Sequence, residues 1–402
     1  MKISIILGTR PEIIKCSPII RECERLGIDY FILHTGQHYS YNLDRVFFKQ
    51  LELPEAKYNL DVGSSSHGKQ TGEMLAGIEK ILQKEAPDVV LVEGDTNTVL
   101  AGALAAAKLR IRVGHVEAGL RSYDQNMPEE INRILADHCS YFLFAPTPKS
   151  KEILLHEGIP LKQVFMVGNT IVDAVNQNLE IAKSKTQVLS RLGLRTSGYL
   201  VATVHRQENV DDKERFTRII QGLKNVQRES AIPLIYPIHP RAKKQLHRFG
   251  LDSKGLTLIE PLDYLAFLQL EGNAKLVLTD SGGVQEETCI LRTPCVTLRD
   301  NTERPETLDV GSNILAGTDP DRILEAAKIS YTVRKNWPNP FGDGKAAKRI
   351  IKILARTLEH SLPIPRSTEY HLKDERLTPE NTRLNKRIRP PENKTARQFY
   401  FF

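Results

Sequence analysis

A chain of 402 residues with 40% hydrophobic side chains exceeds one ordinary domain and carries enough apolar material for two cores. Its net charge of +7 is uneven: Pro363–Phe402 holds nine Lys/Arg against five acids, leaving +3 for the body and arguing against a broad nucleic-acid surface. No apolar run approaches the roughly 20 residues of a membrane helix, Met1–Ser4 opens no secretory pattern, and five scattered cysteines form no C-x-x-C pair. These features lead us to expect a cytoplasmic chain with reduced thiols, no membrane segment and no nucleic-acid partner.

In chain order, Ile3–Leu7 is an apolar strand entering Gly8-Thr9-Arg10-Pro11-Glu12, a turn that opens a helix bearing Lys15. Tyr30–His34, Val89–Glu93, Arg112–His115, Tyr141–Phe144 and Val164–Val167 follow as strands, each followed by a helical pattern. Runs that are apolar throughout indicate a parallel sheet covered on both faces. Asn178–Ser197, rich in Lys, Ser, Thr and Gln, reads as the connection between two halves. The rhythm then resumes at Tyr199–Val204, Leu234–Ile238, Leu256–Ile259, Leu276–Leu278 and Cys295–Leu298. The turn cluster Trp337–Gly344 precedes a helix at Lys345–Glu359 that can bury Ile350, Ile351, Ile353 and Leu354. The expected fold is α/β, with two Rossmann-like doubly wound lobes and a central cleft. We expect the first lobe over residues 1–180 and the second over 181–340, a helix packing back toward the first lobe over 341–360, and a flexible basic tail over 361–402.

Ligands of open parallel sheets bind beyond the carboxyl ends of the strands, where this chain keeps its polar clusters. Two strand–glycine–helix junctions, Gly8–Lys15 and Thr279–Glu287, suit anions because free N–H groups and the helix dipole meet there. Asp95, after Gly94, suits either the cap of a helix starting near Thr98 or an acid beside a ligand. Glu117 leaves a buried strand near Arg121, as a structural ion pair or a proton-transfer group. Glu129 and Glu130 open a helix after Pro128, where acids commonly complement the dipole. His205, at a strand end among polar neighbours, can pack, neutralise a diphosphate or move a proton. No metal-ligand spacing or G-x-G-x-x-G occurs, so neither a metal nor a dinucleotide cofactor is expected.

Eight motifs stand in order: Gly8–Glu12, Gly36-Gln37-His38, Gly94-Asp95-Thr96, Gly114–Arg121, Pro128–Arg133, His205-Arg206, Thr279–Glu287 and Arg299–Glu306. Together they resemble the non-hydrolysing UDP-N-acetylglucosamine 2-epimerases, in their archaeal branch, from about residue 1 to 356. The resemblance implies a glycosyltransferase-B-like fold, a homodimer, and epimerisation between UDP-N-acetylglucosamine and UDP-N-acetylmannosamine without a cofactor. It implies that Arg10, Lys15, His205, Ser281, Gly282, Gly283 and Arg304 grip the diphosphate or its surroundings. Glu287 would take the ribose hydroxyls, Phe267 would border the uracil, and Leu262 would meet it through its backbone. The catalytic carboxylates would be Asp95, Glu117 and Glu129, with His205 beside them. A 2-epimerase of UDP-2,3-diacetamido-glucuronic acid and a glycosyltransferase of the same architecture are the rival readings. Thr302-Glu303-Arg304-Pro305, where the diacetamido enzymes tend to carry Thr-Glu-Trp, favours the first substrate.

Overall fold

The computed structural model describes residues 1–37 and 41–359. His38 and the tail from residue 360 onward lie outside the described residues. The first sheet contains β1 (Lys2–Leu7), β2 (Asp29–His34), β3 (Tyr58–Asn59), β4 (Val89–Glu93), β5 (Arg112–Val116), β6 (Phe142–Ala145) and β7 (Val164–Met166). The second contains β8 (Leu200–Thr203), β9 (Leu234–Pro237), β10 (Thr257–Ile259), β11 (Leu276–Thr279), β12 (Cys295–Thr297) and β13 (Asn313–Leu315). All their pairings are parallel. Two edge strands, β3 and β13, were not expected; both are short and each carries an asparagine, Asn59 or Asn313, that interrupts the apolar run.

The strand orders are β3-β2-β1-β4-β5-β6-β7 and β10-β9-β8-β11-β12-β13. Each sheet therefore reverses its winding once, between β1 and β4 and between β8 and β11, and opens its ligand crevice there. The uninterrupted apolar strands follow from burial on both faces. Ile3, Ile5, Leu7, Val89 and Leu91 enter one core, whereas Ile6, Val90 and Val92 enter the opposite one.

Seven helices bear on the crevices: α1 (Arg10–Leu26), α2 (Asn97–Lys108), α3 (Pro128–Cys139), α4 (Thr170–Lys185), α5 (Tyr264–Gly272), α6 (Gly282–Leu291) and α7 (Ala346–Glu359). Helix α7 inserts Ala347, Ile350, Ile351 and Leu354 into the core that holds β1 and Ile13, Ile19 and Ile20 of α1. Its first amides, Ala346 N and Ala347 N, donate to Asp173 of α4, both at 3.1 Å. A side chain from another helix thus satisfies groups that every helix start leaves unpaired. None of the helices among the described residues is long and apolar enough to cross a membrane.

Candidate active site

At the first switch point the chain leaves β1 through Gly8, where a Cβ would lie 2.0 Å from Thr35 Oγ1. Only glycine lets the turn pack this closely. Glu12 then folds back to accept from Gly8 N at 2.6 Å, Thr9 N at 3.1 Å and Thr96 Oγ1 at 2.5 Å. Burial nevertheless pushes its carboxyl up to about 7. Arg10 sets its guanidinium over the Phe47 ring at 5.8 Å.

Glu117 follows β5 with φ of 70°, a left-handed conformation that costs a non-glycine residue energy and tends to occur at functional sites. Lys15 Nζ donates to both of its oxygens at 2.7 Å, and Asn169 Nδ2 donates to Oε1 at 3.0 Å. Burial alone would raise Glu117, but the cations Lys15 and Arg304 outweigh it and hold the carboxyl down to about 2. Lys15 also lies 3.5 Å from Glu93 and 3.9 Å from Glu286 of the second lobe. Its ammonium is thus engaged by carboxylates in this structure.

Asp95 is not a helix cap. The N-cap of α2 is Thr96, whereas the Asp95 carboxylate pairs with Arg133 of α3 at 2.5 Å and its carbonyl accepts from Asn132 Nδ2 at 2.9 Å. With its side chain one-third exposed, Asp95 can meet both Arg133 and a ligand. Helix α3 is inverted relative to the usual amphipathic pattern. Glu130, Asn132, Arg133 and Asp137 are buried, whereas Ile131 and Leu135 are exposed. Glu130 accepts from Ser122 N, Tyr123 N and Arg133 Nη1, each at 2.9 Å, so its role is to fix the preceding loop. Glu129 is exposed and touches none of the other predicted acids; it precedes Arg133 by four residues and so shares its helix face.

A buried cation joins the two acid-bearing turns. His115 Nδ1 meets Asp137 Oδ1 at 2.6 Å and Nε2 meets the Gly94 carbonyl at 2.8 Å. Both partners are acceptors, so both ring nitrogens must donate and the imidazole is protonated. Burial opposes this charge, but Asp137 outweighs it and raises the pKa.

The second switch point is built on Asp280. Its carboxylate accepts from His205 N at 3.1 Å, Arg206 N at 3.0 Å and Asn209 Nδ2 at 3.1 Å, and it lies 3.2 Å from His205 Nδ1. His205 keeps a 40% exposed side chain, 5.9 Å from the His239 ring, and so remains open to a ligand. Ser281 caps α6, accepting from Val284 N, and Gly282 and Gly283 form its first turn. Leu262 and Phe267 belong to one apolar cluster with Val284 of that turn. Arg304 Nε lies 2.7 Å from Glu286 Oε1 rather than standing unpaired. Burial, aided by the neighbouring Glu286, pushes the Glu287 carboxyl up to about 7 against the opposing hydrogen bonds of Tyr264 and Glu271.

The sequence reading did not single out Glu93, Asp137, Asn169, Asp280 or Glu286 as site residues, and it placed His115 only at the border of the cleft. A carboxylate ending the otherwise apolar strand Val89–Glu93 was the available signal for the first.

Two parallel doubly wound lobes, with carboxylates at one switch point and a capped helix start suited to an anion at the other, define a two-lobe α/β protein with its ligand crevices at the switch points. A sequence profile described as UDP-N-acetylglucosamine 2-epimerase matches residues 21–355. The UDP-N-acetylglucosamine 2-epimerase of Methanocaldococcus jannaschii is 57% identical over 361 residues, covering 88% of this chain and 99% of that protein. Its crystal structure in complex with UDP-GlcNAc and UDP aligns with a TM-score of 0.81 over 89% of this chain and all of the other. The UDP-2,3-diacetamido-2,3-dideoxy-D-glucuronate 2-epimerase of Pseudomonas aeruginosa is 42% identical, covering 89% of this chain and 100% of that protein. The chain belongs to the UDP-N-acetylglucosamine 2-epimerase family.

Proposed function

We propose that the chain interconverts UDP-N-acetylglucosamine and UDP-N-acetylmannosamine by eliminating UDP and adding it back at carbon 1. The observation that carries this reading is the joining of two chemistries in one cleft. Asp95 and Glu117 stand at the first switch point, and Lys15 beside Glu117 reaches to 3.9 Å from Glu286 on the helix that Ser281 caps. The 57% identity to a named epimerase supports the same conclusion.

The hydrogen on carbon 2 of an acetamido sugar has no adjacent carbonyl to acidify it, so its simple removal would leave an unstabilised carbanion. Loss of UDP solves this problem. In the α-linked chair the UDP oxygen and the hydrogen on carbon 2 are antiperiplanar. The C–H electron pair becomes the carbon 1–carbon 2 double bond as the carbon 1–oxygen pair leaves with UDP. Protonation of the 2-acetamidoglucal from the other face, followed by return of UDP, yields the manno sugar. This requires proton-transfer groups on two faces, for which Asp95, Glu117 and Glu129 are the candidates, with His205 assisting. It also requires donors that hold the leaving diphosphate. Arg10, His205, Arg304 and the amides of Ser281, Gly282 and Gly283 fill that role, and Lys15 couples it to Glu117. Glu287 is assigned to the ribose and Leu262 and Phe267 to the uracil.

Incubation with UDP-N-acetylglucosamine in heavy water tests the reading. Proton NMR should show deuterium at carbon 2 of UDP-N-acetylmannosamine, with no added NAD or metal. Product that keeps its original hydrogen through many turnovers would rule out elimination. Running UDP-2,3-diacetamido-glucuronic acid in parallel tests the second reading, which the Pseudomonas aeruginosa relative suggests; faster turnover of it would transfer the assignment.

The ribose assignment has its own pH signature. Glu287 is raised to about 7, so it loses its charge, and with it its charge-assisted acceptance from hydroxyls, as pH falls through that value. The affinity for UDP relative to 2′,3′-dideoxy-UDP should drop about tenfold between about pH 8 and pH 6 in calorimetry, the ratio cancelling titration of the diphosphate. A ratio independent of pH would remove Glu287 from the ribose.

A cytoplasmic homodimer fits this reading. All five cysteines are free, and Ile131 and Leu135 present an exposed apolar pair one turn apart on α3.

A further inference from the structure

Three acids and two bases are buried together where the lobes meet. Lys15 Nζ is 2.7 Å from both Glu117 oxygens, 3.5 Å from Glu93 Oε1 and 3.9 Å from Glu286 Oε2; Arg304 Nε is 2.7 Å from Glu286 Oε1. The side chains of Glu93, Glu117 and Glu286 are 2%, 5% and 1% exposed. If all five groups were ionised, the cluster would hold one uncompensated negative charge out of reach of water, which is costly. One bound proton removes the excess.

The close cations and donors decide which acid carries it. Glu117 has Lys15 on both oxygens and Asn169 at 3.0 Å; Glu286 has the Arg304 guanidinium as an ion pair at 2.7 Å and Asn169 at 3.3 Å, both on Oε1, while its Oε2 has no hydrogen-bond partner. Among the described residues Glu93 has no cation closer than Lys15 at 3.5 Å, and its buried Oε1 likewise has no hydrogen-bond partner. It ends β4 next to β5, with Glu93 in register with Val116, which places its carboxyl beside that of Glu117.

We propose that Glu93 holds this proton and donates it to Glu117, acting as a positioning residue that keeps Glu117 ionised and aligned for proton transfer. The groups facing it agree. Glu12, Lys15 and Cys16 approach from α1 and Glu117 from the turn after β5. Burial is the largest cause pushing the Glu93 carboxyl well above the carboxylate range, and the neighbouring Glu117 adds to it against Lys15. The proton also fits the charge balance of elimination. When Glu117 accepts the hydrogen of carbon 2 the cluster gains one positive charge, while the departing UDP oxygen gains one negative charge.

The role of Glu117 rests on the reading above, but the location of the proton does not, so the test has separate arms. Because Glu12 and Glu287 also hold protons near neutral pH, the readout is the infrared difference between proteins: the wild-type spectrum minus that of Glu93→Gln, both substrate-free, should show the carbonyl stretch of one buried protonated carboxyl. The same difference band should appear for wild type minus Glu117→Gln, where two acids face two bases and Glu93 ionises. Absence of the difference band for either variant would overturn the proposal, whether or not the protein turns over UDP-N-acetylglucosamine. In turnover, Glu93→Gln keeps a donor toward Glu117 whereas Glu93→Leu does not, so kcat of the Gln variant should exceed that of the Leu variant by about tenfold, at equal UDP affinity. Equal kcat in the two, or a fall in Glu93→Gln as deep as in Glu117→Gln, would also overturn it.

Discussion

Glu117→Gln is expected to lower kcat about a thousandfold, close to 4 kcal/mol of barrier, while UDP affinity stays within about threefold. The amide keeps the size of the carboxylate and can still accept from Lys15, which now donates to both carboxylate oxygens at 2.7 Å. The variant therefore retains the fold and loses a proton site, so the defect belongs in kcat rather than in binding. Asp95→Asn and Glu129→Gln should show the same split from different settings. Asp95 gives up an ion pair with Arg133, whereas Glu129 is exposed and has no ion pair among the described residues. Glu129→Gln is consequently the cleanest discriminator: wild-type turnover in that variant would remove Glu129 from the chemistry. A variant lacking one face's acid can still release glucal and UDP in heavy water, which distinguishes blocked readdition from blocked elimination. A calorimetric loss of UDP binding in all three variants would make these acids structural.

The strand–turn–helix junctions were legible because two periodicities meet at a glycine. Ile3–Leu7 is apolar on both faces, Gly8 permits the close turn, and the helix that follows places Glu12 and Lys15 on its inward side; Thr279–Glu287 repeats the pattern. What remained hidden was the direction of individual carboxylates. Adjacent acids in a helix diverge by about 100°, so Glu129-Glu130 and Glu286-Glu287 cannot be told apart until the helix phase is known. In α3 the apolar residues mislead, because Ile131 and Leu135 face outward while Asn132, Arg133 and Asp137 face the cleft and the neighbouring turns. The usual hydrophobic stripe would rotate this helix the wrong way. Asp95 posed a different difficulty. Asp and Thr are both good caps, and only the backbone shows that Thr96 takes the position and releases Asp95 toward Arg133. Glu93 acquires meaning from Lys15, 78 positions away in the chain, and Glu286 from Asn169 and Lys15, 117 and 271 positions away, across sheet order and lobe closure that no local pattern encodes.

Lys15→Met tests the energetic centre of the site, because among the described residues it removes the one cation within 4 Å of all three buried acids. Truncating one partner of a buried pair leaves its charge uncompensated, so the folded state should lose about 3–5 kcal/mol in denaturant unfolding at neutral pH. The pH dependence follows from linkage. In the wild type Glu117 is held at about 2, below its unfolded value near 4.5, so it contributes stability that is present above about 4.5 and is lost as pH falls toward 2. Without Lys15 that depression disappears and burial instead raises the carboxyl, so the variant binds a proton at Glu117 that the wild type does not. The stability gap between the two proteins should be widest above the variant's raised Glu117 value and narrow as pH falls from there toward about 2, the unfolded value cancelling between them. Lys15→Arg should recover part of the charge but not the geometry, since a planar guanidinium cannot occupy the point between Glu117, Glu93 and Glu286 that an ammonium fills. It should therefore fold better than Lys15→Met while turning over far more slowly than the wild type. A gap under about 1 kcal/mol in Lys15→Met, constant with pH, would mean that water reaches these carboxylates and that the cluster is not a closed unit.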